Sequence, residues 1–240
     1  MENLKPNERR AKNAILLIWI VLALEIASLI SSYLQYNLLQ TIARGGGVSD
    51  EVVLANDIRE GIVGLLYSIA YIISVITFIM WFSRAYANLH EKTNNLHYSK
   101  GWAIGGWFVP ILGLYCPYQI MKELYVETKN ILQKQGFAGS ANYTTNYMDC
   151  WWTLFVITLF LGCYSFRYVF LSSDTIEGQS ISTIAQMILN IVDIPLALIT
   201  IKVIKDYSIM EPLLQEIPED LPLDNFYGRV DKIFDNNQGF

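Results

Sequence analysis

Four stretches of about twenty apolar residues constrain this chain more than any other feature. A helix rising about 1.5 Å per residue crosses about 30 Å of hydrocarbon in that length. The stretches are 14–36, 62–82, 151–171 and 181–204, each bounded by charged or turn-forming residues. Hydrocarbon offers backbone amides and carbonyls no water, so such segments close their hydrogen bonds within helices. The fold class that follows is all-α, a polytopic membrane helix bundle with four transmembrane helices. Composition agrees, with 53% hydrophobic against 16% charged residues and a mean hydropathy of +0.31. The net charge of -5 lacks the basic excess of a nucleic-acid binder, so no nucleic acid is expected as a partner.

A fifth stretch, 101–121, reads GWAIGGWFVPILGLYCPYQIM. It is apolar, but its four Gly and two Pro break a straight helix. Lys and Arg collect on the cytoplasmic side of membrane helices, which decides whether this stretch crosses. If it does not cross, the cytoplasmic set is Lys5, Arg9, Arg10, Lys12, Arg84, Lys92, Lys100, Lys122, Lys129, Lys134, Lys202, Lys205, Arg229 and Lys232. Only Arg44 and Arg59 then face outward, and the outer loop 172–180 holds Asp174 and Glu177 without a base. A full crossing would move five of these lysines outside. We therefore expect four spans, both termini cytoplasmic, and a Gly/Pro-broken re-entrant or interfacial hairpin over 101–121. The first run is read as a retained anchor rather than a cleaved leader, because Glu25 interrupts its apolar centre.

The expected organisation is a cytoplasmic tail over 1–13, a transmembrane domain over 14–205 and an acidic cytoplasmic tail over 206–240. Gly45, Gly46 and Gly47 form a link ahead of Ser49, Asp50 and Glu51, which carry helix-starting chemistry. The second helix is expected to begin outside the membrane and to run past Trp81 toward a turn at Asn94 and Asn95. The last segment carries eight acids against Arg229 and Lys232, with three prolines, and reads as a solvated tail.

Two segments carry a recognisable pattern, WFSRAYANL over 81–89 and SKGWAIGGWFVPILGLYCPYQIMKELY over 99–125. Together they resemble a bacterial membrane family catalogued as domain of unknown function 4328. The matching positions are Arg84, Ala85, Tyr86, Asn88, Leu89, Gly101, Trp102, Ala103, Trp107, Phe108, Pro110, Pro117, Tyr118, Gln119 and Glu123. The resemblance implies a bacterial inner-membrane location and brings no established activity.

Physically, Pro110 should break a helix begun near Gly101 within two or three turns. Gly101 and Gly105 are spaced for close helix contact, and Trp102, Trp107, Phe108, Tyr115 and Tyr118 suit the headgroup level. Arg84, Asn88, Gln119 and Glu123 are expected around the hairpin, satisfying its freed backbone groups, with Arg84 paired to Glu123. A gate for a pore or substrate is the alternative role of this element.

Glu25, Arg167 and Asp193 fall within spans, where ionisable groups are costly. Counted from the outer ends of their spans, Glu25 and Asp193 both lie about 17 Å deep, near the midplane. Arg167 lies nearer the outer surface, placed to snorkel outward or to reach Asp193. Gln186 and Asn190 add polarity beside Asp193, and Pro195 is a candidate kink.

Enzyme chemistry finds little footing. His90 and His97 are the only histidines, both expected to face solvent, and no three-ligand zinc set, CxxC pair, GxSxG elbow or phosphate loop is present. Cys116, Cys150 and Cys163 are read as unpaired, and Asp149 and Cys150 lack a base beside them. Asn142 starts a sequon without meaning on a cytoplasmic loop. No catalytic residue, metal site or cofactor is called for; an enzyme would have to build its chemistry from Arg84, Glu123 and the hairpin. The expected function is a non-enzymatic scaffold or sensor of the envelope, with the bilayer and a protein partner or second copy as its contacts. The alternative is a small proton- or cation-coupled transporter or channel using Glu25 and Asp193.

Overall fold

The computed structural model describes residues 4–136, 146–172 and 175–214, and of Asn146 and residues 168–172 the backbone alone. The Asn142 sequon, Asp174 and the acidic segment beyond Leu214 lie outside the described residues. The described chain is helical, without a strand: α1 (Glu8–Ala43), α2 (Asp50–His90), α3 (Trp102–Gly105), α4 (Cys116–Lys134), α5 (Asn146–Ser172) and α6 (Ile176–Met210). Short 3-10 turns occupy Leu112–Leu114 and Glu211–Leu214. Helices α1, α2, α5 and α6 hold the four apolar runs and are long and apolar enough to cross a membrane. The chain divides into two compact units that cut across its linear order.

The four-helix unit comprises residues 8–81, 146–172 and 175–204 of the described chain. Helix α1 stops where the glycine run begins. Gly45 adopts a φ of 77° and the Gly46 amide bonds the Thr41 carbonyl at 3.0 Å, a left-handed C-terminal cap. A Cβ on Gly46 would stand 2.9 Å from that same oxygen, so the link requires glycine there. Helix α2 then starts as its sequence suggested, with the Val52 and Val53 amides on the Ser49 carbonyl and acids in the first turn.

Polar ties join these helices. Arg59 of α2 donates through Nε to Ser31 Oγ at 2.9 Å and through Nη2 to the Ser31 carbonyl at 3.1 Å. Arg10 donates to the Met80 carbonyl at 2.8 Å, and Trp151 Nε1 to Thr200 Oγ1 at 3.0 Å. Helix α6 continues through Pro195. The apolar side chains face the other way: Leu16, Leu65, Ile72, Phe160 and Ile191 are exposed, and only 6% of the apolar window of α2 is buried. That is the inverse of a water-soluble bundle, whose apolar stripe faces its core.

The second unit holds residues 4–7, 82–136 and 205–214, and therefore every matching position of the sequence signature from Arg84 to Glu123. Helix α2 contributes its last turns and ends where the Lys92 and Thr93 amides bond the Leu89 carbonyl. Helix α4 is amphipathic, burying Ile120, Met121, Leu124, Tyr125, Thr128 and Leu132 along one stripe. Pro117 sits in its first turn, where the missing amide has no intrahelical partner to lose. Phe82, Ala85, Tyr86, Leu89, Tyr207, Met210 and Leu214 complete a fully buried core, with the Tyr125 and Tyr207 rings 5.5 Å apart. Tyr207, Met210 and Leu214 open the segment expected to be a solvated tail; here they are core.

Over 101–121 the structure differs in detail from a single hairpin. Helix α3 lasts one turn and ends at Gly105, ahead of Pro110, and from Cys116 the chain is already in α4. A Cβ at Gly101 or Gly105 would meet nothing within 4 Å, so they are not the close-contact pair that their spacing suggested. The tight positions are Gly106, whose Cβ would stand 3.0 Å from Cys116 Sγ, and Gly113, packed on the Gly106 and Trp107 carbonyls. A one-turn helix has too little face to pack, and the doubling back of the loop brings these two glycines to the crossing instead.

Candidate functional site

Two polar constellations stand out, one in each unit. In the four-helix unit, spacing on α6 puts Gln186, Asn190 and Asp193 on one helical face, four and three residues apart. Helix α1 presents Glu25 and Ser28, again one turn apart. Helix α2 presents Tyr67 and Tyr71, whose rings stack at 5.9 Å, and α5 presents Thr158. Glu25 is buried at 2% exposure and Asn190 at 0%. Thr158 Oγ1 donates to Asp193 Oδ1 at 2.8 Å, and the Tyr67 hydroxyl bonds Glu25. The Asn190 carboxamide, oriented to satisfy both its faces, puts Nδ2 3.0 Å from Glu25 Oε1 and Oδ1 3.1 Å from Ser28 Oγ. Asp193 lies one turn along α6 from Asn190, the residue bonded to Glu25.

Arg167 stands apart, exposed on α5 and not among the groups acting on Glu25 or Asp193. Glu25, Asn190 and Asp193 thus come together and Arg167 does not join them. Two carboxylates among hydroxyls and amides, with no cationic side chain among the groups acting on them in the described residues, attract a proton or a cation.

In the second unit the signature residues build two networks. The Asn88 carboxamide brackets the backbone of Lys5: the Lys5 amide donates to Oδ1 at 3.1 Å, and Nδ2 donates to the Lys5 carbonyl at 2.9 Å. Nδ2 also donates to Glu211 Oε1 at 2.7 Å, and Asn7 Nδ2 reaches both Glu211 oxygens at 3.2 and 3.0 Å. Asn7, Asn88 and Glu211 are all buried. The Arg84 charge acts on Glu211 as well. One asparagine on α2 thereby ties the N-terminal segment to the turn that follows α6.

The second network centres on Glu123. The Tyr86 hydroxyl donates to Oε2 at 2.6 Å, and the His97 backbone amide to Oε1 at 2.7 Å, with His97 Nδ1 at 2.9 Å from Oε1. The Tyr98 carbonyl lies 3.0 Å from the same hydroxyl, a second acceptor for its one proton. The expected pairing of Arg84 with Glu123 is therefore replaced: among the described residues Glu123 is held by Tyr86 and His97, and the Arg84 charge favours the Glu211 carboxylate. Helical spacing explains the exchange, because Arg84 and Asn88 are four apart and share one face of α2, while Tyr86 lies on another. His97 is exposed as expected. His90 is half-buried, its ring edge-on to Tyr86 at 4.8 Å with Nε2 3.0 Å from the Tyr98 carbonyl.

The remaining signature positions divide between core and surface. Trp107 packs edge-on against Phe82 at 6.1 Å, and Pro117 is buried. Tyr118 and Gln119 are half-buried, with Lys122 Nζ 6.0 Å from the Tyr118 ring centroid. Gly101, Trp102, Phe108 and Pro110 are exposed. Burial pushes the Cys116 thiol pKa up, and all three cysteines are free.

With this geometry in hand, the comparisons are decisive for family and silent on activity. The family model described as Domain of unknown function (DUF4328) matches residues 44–208. The chain belongs to the DUF4328 family. No curated protein and no solved structure matches it. The DUF4328 match takes in Arg84, Asn88, Glu123 and Asp193, but Lys5, Asn7, Glu25 and Glu211 lie outside it. Lys5, Asn7, Glu211, Tyr67 and Thr158 were missed in the sequence reading. Asn7 and Glu211 carry no local signal, whereas Tyr67 and Tyr71, one turn apart in an apolar run, offered a faint one. Among the described residues, no group of three or more His, Cys, Asp or Glu gathers as a metal site.

Proposed function

We propose that this DUF4328 protein is an integral protein of a bacterial inner membrane, with four crossing helices and both termini cytoplasmic, working as a non-enzymatic scaffold or sensor. The observation that carries the reading is the use made of the signature. Tyr86, Asn88 and Glu123 spend their polar groups on internal ties that close a small folded unit, which suits them to holding a shape rather than turning over a substrate. The outward apolar surface of the four long helices supports membrane insertion, since lipid solvates such side chains and water does not. The signature unit is then the cytoplasmic contact surface for another membrane protein or a second copy.

Threading is tested with single cysteines at Lys122, Lys134, Ser173 and Lys205 in a background without native cysteines. An impermeant reagent on intact cells should label Ser173→Cys alone. Labelling at the three lysine positions but not at Ser173 would mean five spans. The contact surface is tested by photocrosslinkers at the exposed positions Val126 and Ile209. A defined adduct is expected in intact cells, and its absence at both positions removes the scaffold reading.

A second reading rests on the buried Glu25 bonded to Asn190, one turn from Asp193, with Arg167 apart. It makes the four-helix unit a proton- or cation-coupled transporter or channel. Proteoliposomes separate the two. Flux above the lipid background that E25Q and D193N abolish would replace the scaffold with transport, and flux at background in all three chains would retire the transport reading.

A further inference from the structure

Among the described residues of the signature unit, the large apolar side chains left exposed are concentrated in one place. Apart from Val126 and Ile209, all lie within 102–115: Trp102, Ile104, Phe108, Val109, Ile111, Leu112 and Tyr115. The extremes are at the tip, with Phe108 at 72% and Ile111 at 83% exposure. Water-soluble surfaces scatter such residues singly, and a contiguous apolar patch marks a contact.

The loop is built to keep that tip out. Gly106 and Gly113 pack it against itself, and a Cβ at Gly106 would stand 2.8 Å from the Trp102 carbonyl. Part of its backbone is satisfied internally. The Trp107 and Phe108 amides bond the Ile104 and Gly105 carbonyls at 3.2 and 3.1 Å, and the Gly113, Leu114 and Tyr115 amides bond Val109, Ile111 and Leu112. Pro110 has no amide to leave open. Each such bond lowers the cost of bringing an irregular loop into the partly hydrated headgroup region.

Charge defines the partner. No charged residue occurs from Gly101 to Met121, and Lys100 and Lys122 flank the stretch directly. Lys100 pairs with Glu91, and Lys122 lies by the Tyr118 ring. An apolar tip with Trp and Tyr at its shoulders and Lys at its base matches the layering of acyl chains, interface and anionic headgroups. By sequence the loop is tethered at the membrane from both sides, following the apolar run that ends at Phe82 and preceding the one that begins at Trp151.

We propose that the 102–115 loop is a lipid-binding finger. It inserts Phe108, Val109 and Ile111 into the headgroup–acyl boundary of one leaflet, with Lys100 and Lys122 at anionic headgroups. This rests on the membrane reading above and names the bilayer as the partner of the exposed part of the signature. One turn of chain gives shallow insertion, unlike a hairpin reaching the midplane.

The test uses the full chain in liposomes of phosphatidylethanolamine and phosphatidylglycerol, with single cysteines at Phe108 or Ile111 carrying bimane. Both side chains are exposed, so the fold does not depend on them. The control label is at Lys134, exposed at the end of α4. Lipid nitroxide near the headgroup should quench the tip labels at least twofold more than the control, and more than nitroxide deep in the acyl chain. Ile111→Asp should reduce the quenching at Phe108. Quenching equal to the control overturns the finger and leaves the patch to a protein. Stronger quenching by the deep nitroxide overturns shallow insertion in favour of a re-entrant hairpin. External labelling of Lys134→Cys in intact cells would instead sink the four-span threading, a failure separable from that of the finger.

Discussion

Replacing Asn88 by alanine should release the N-terminal segment from the signature unit. The side chain makes three hydrogen bonds, two with the Lys5 backbone and one to the buried Glu211 carboxylate. A neutral hydrogen bond is worth about 0.5–1.5 kcal/mol net, and one to a charged group about 1.5–3 kcal/mol. Glu211 keeps its Asn7 donor and the nearby Arg84 charge, so the loss belongs in the lower part of the summed range, about 3 kcal/mol. In native-state hydrogen exchange that is roughly a hundredfold faster opening at Lys5 and Asn7. Asn88→Asp is the sharper probe. Aspartate keeps the acceptor for the Lys5 amide but cannot donate when ionised, and it sets a second carboxylate against Glu211. It should cost more than alanine at neutral pH, with the deficit shrinking as pH falls and a shared proton restores a donor. The assay is amide exchange of the purified chain in nanodiscs, read by mass spectrometry on the N-terminal peptide. Unchanged exchange in Asn88→Ala, or an aspartate variant milder than alanine at neutral pH, would refute the clamp.

Three further outcomes follow from the same geometry. Gly106→Ala should lower thermal stability by about 1–3 kcal/mol through its clash with Cys116, while Gly101→Ala and Gly105→Ala, with open space around them, should stay within about 0.5 kcal/mol; equal melting of all three would contradict the packing described. Tyr86→Phe should cost about 2 kcal/mol by removing a donor from Glu123, whereas His97→Ala, whose side chain is 89% exposed, should be near neutral because the backbone amide remains. Cys116, buried and with its thiol pKa pushed up, should resist maleimide in the folded chain and react only on unfolding, and rapid labelling would show that the unit opens.

The four long helices were legible because crossing hydrocarbon demands length and apolarity, both of which are written locally. The start of α2 at Asp50 and the stop of α1 at the glycine run were legible for a similar reason, since caps are made by neighbours in sequence. The breaking of 101–121 was visible in its glycines and prolines, but its actual path was not. Which glycine meets a neighbour depends on where the loop doubles back, and Gly106 rather than Gly101 or Gly105 carries the contact. The pairing of Arg84 with Glu123 fails because Glu123 is the signature acid nearest in sequence, while the acid its charge acts on is Glu211, 127 residues away.

What the sequence by itself determined is therefore the solvent each segment suits, the helices and their punctuation, and membership of the DUF4328 family. These rest on composition, length and chemistry within a few residues. Tertiary structure alone decided which partners the signature residues meet. Asn88 meets Lys5 across 83 residues and Glu211 across 123, and Asn7 meets Glu211 across 204. No local pattern encodes such pairs. Each side chain carries only the capacity to bond, and the packing of α2, α4 and the end of α6 around one core brings the partners within reach.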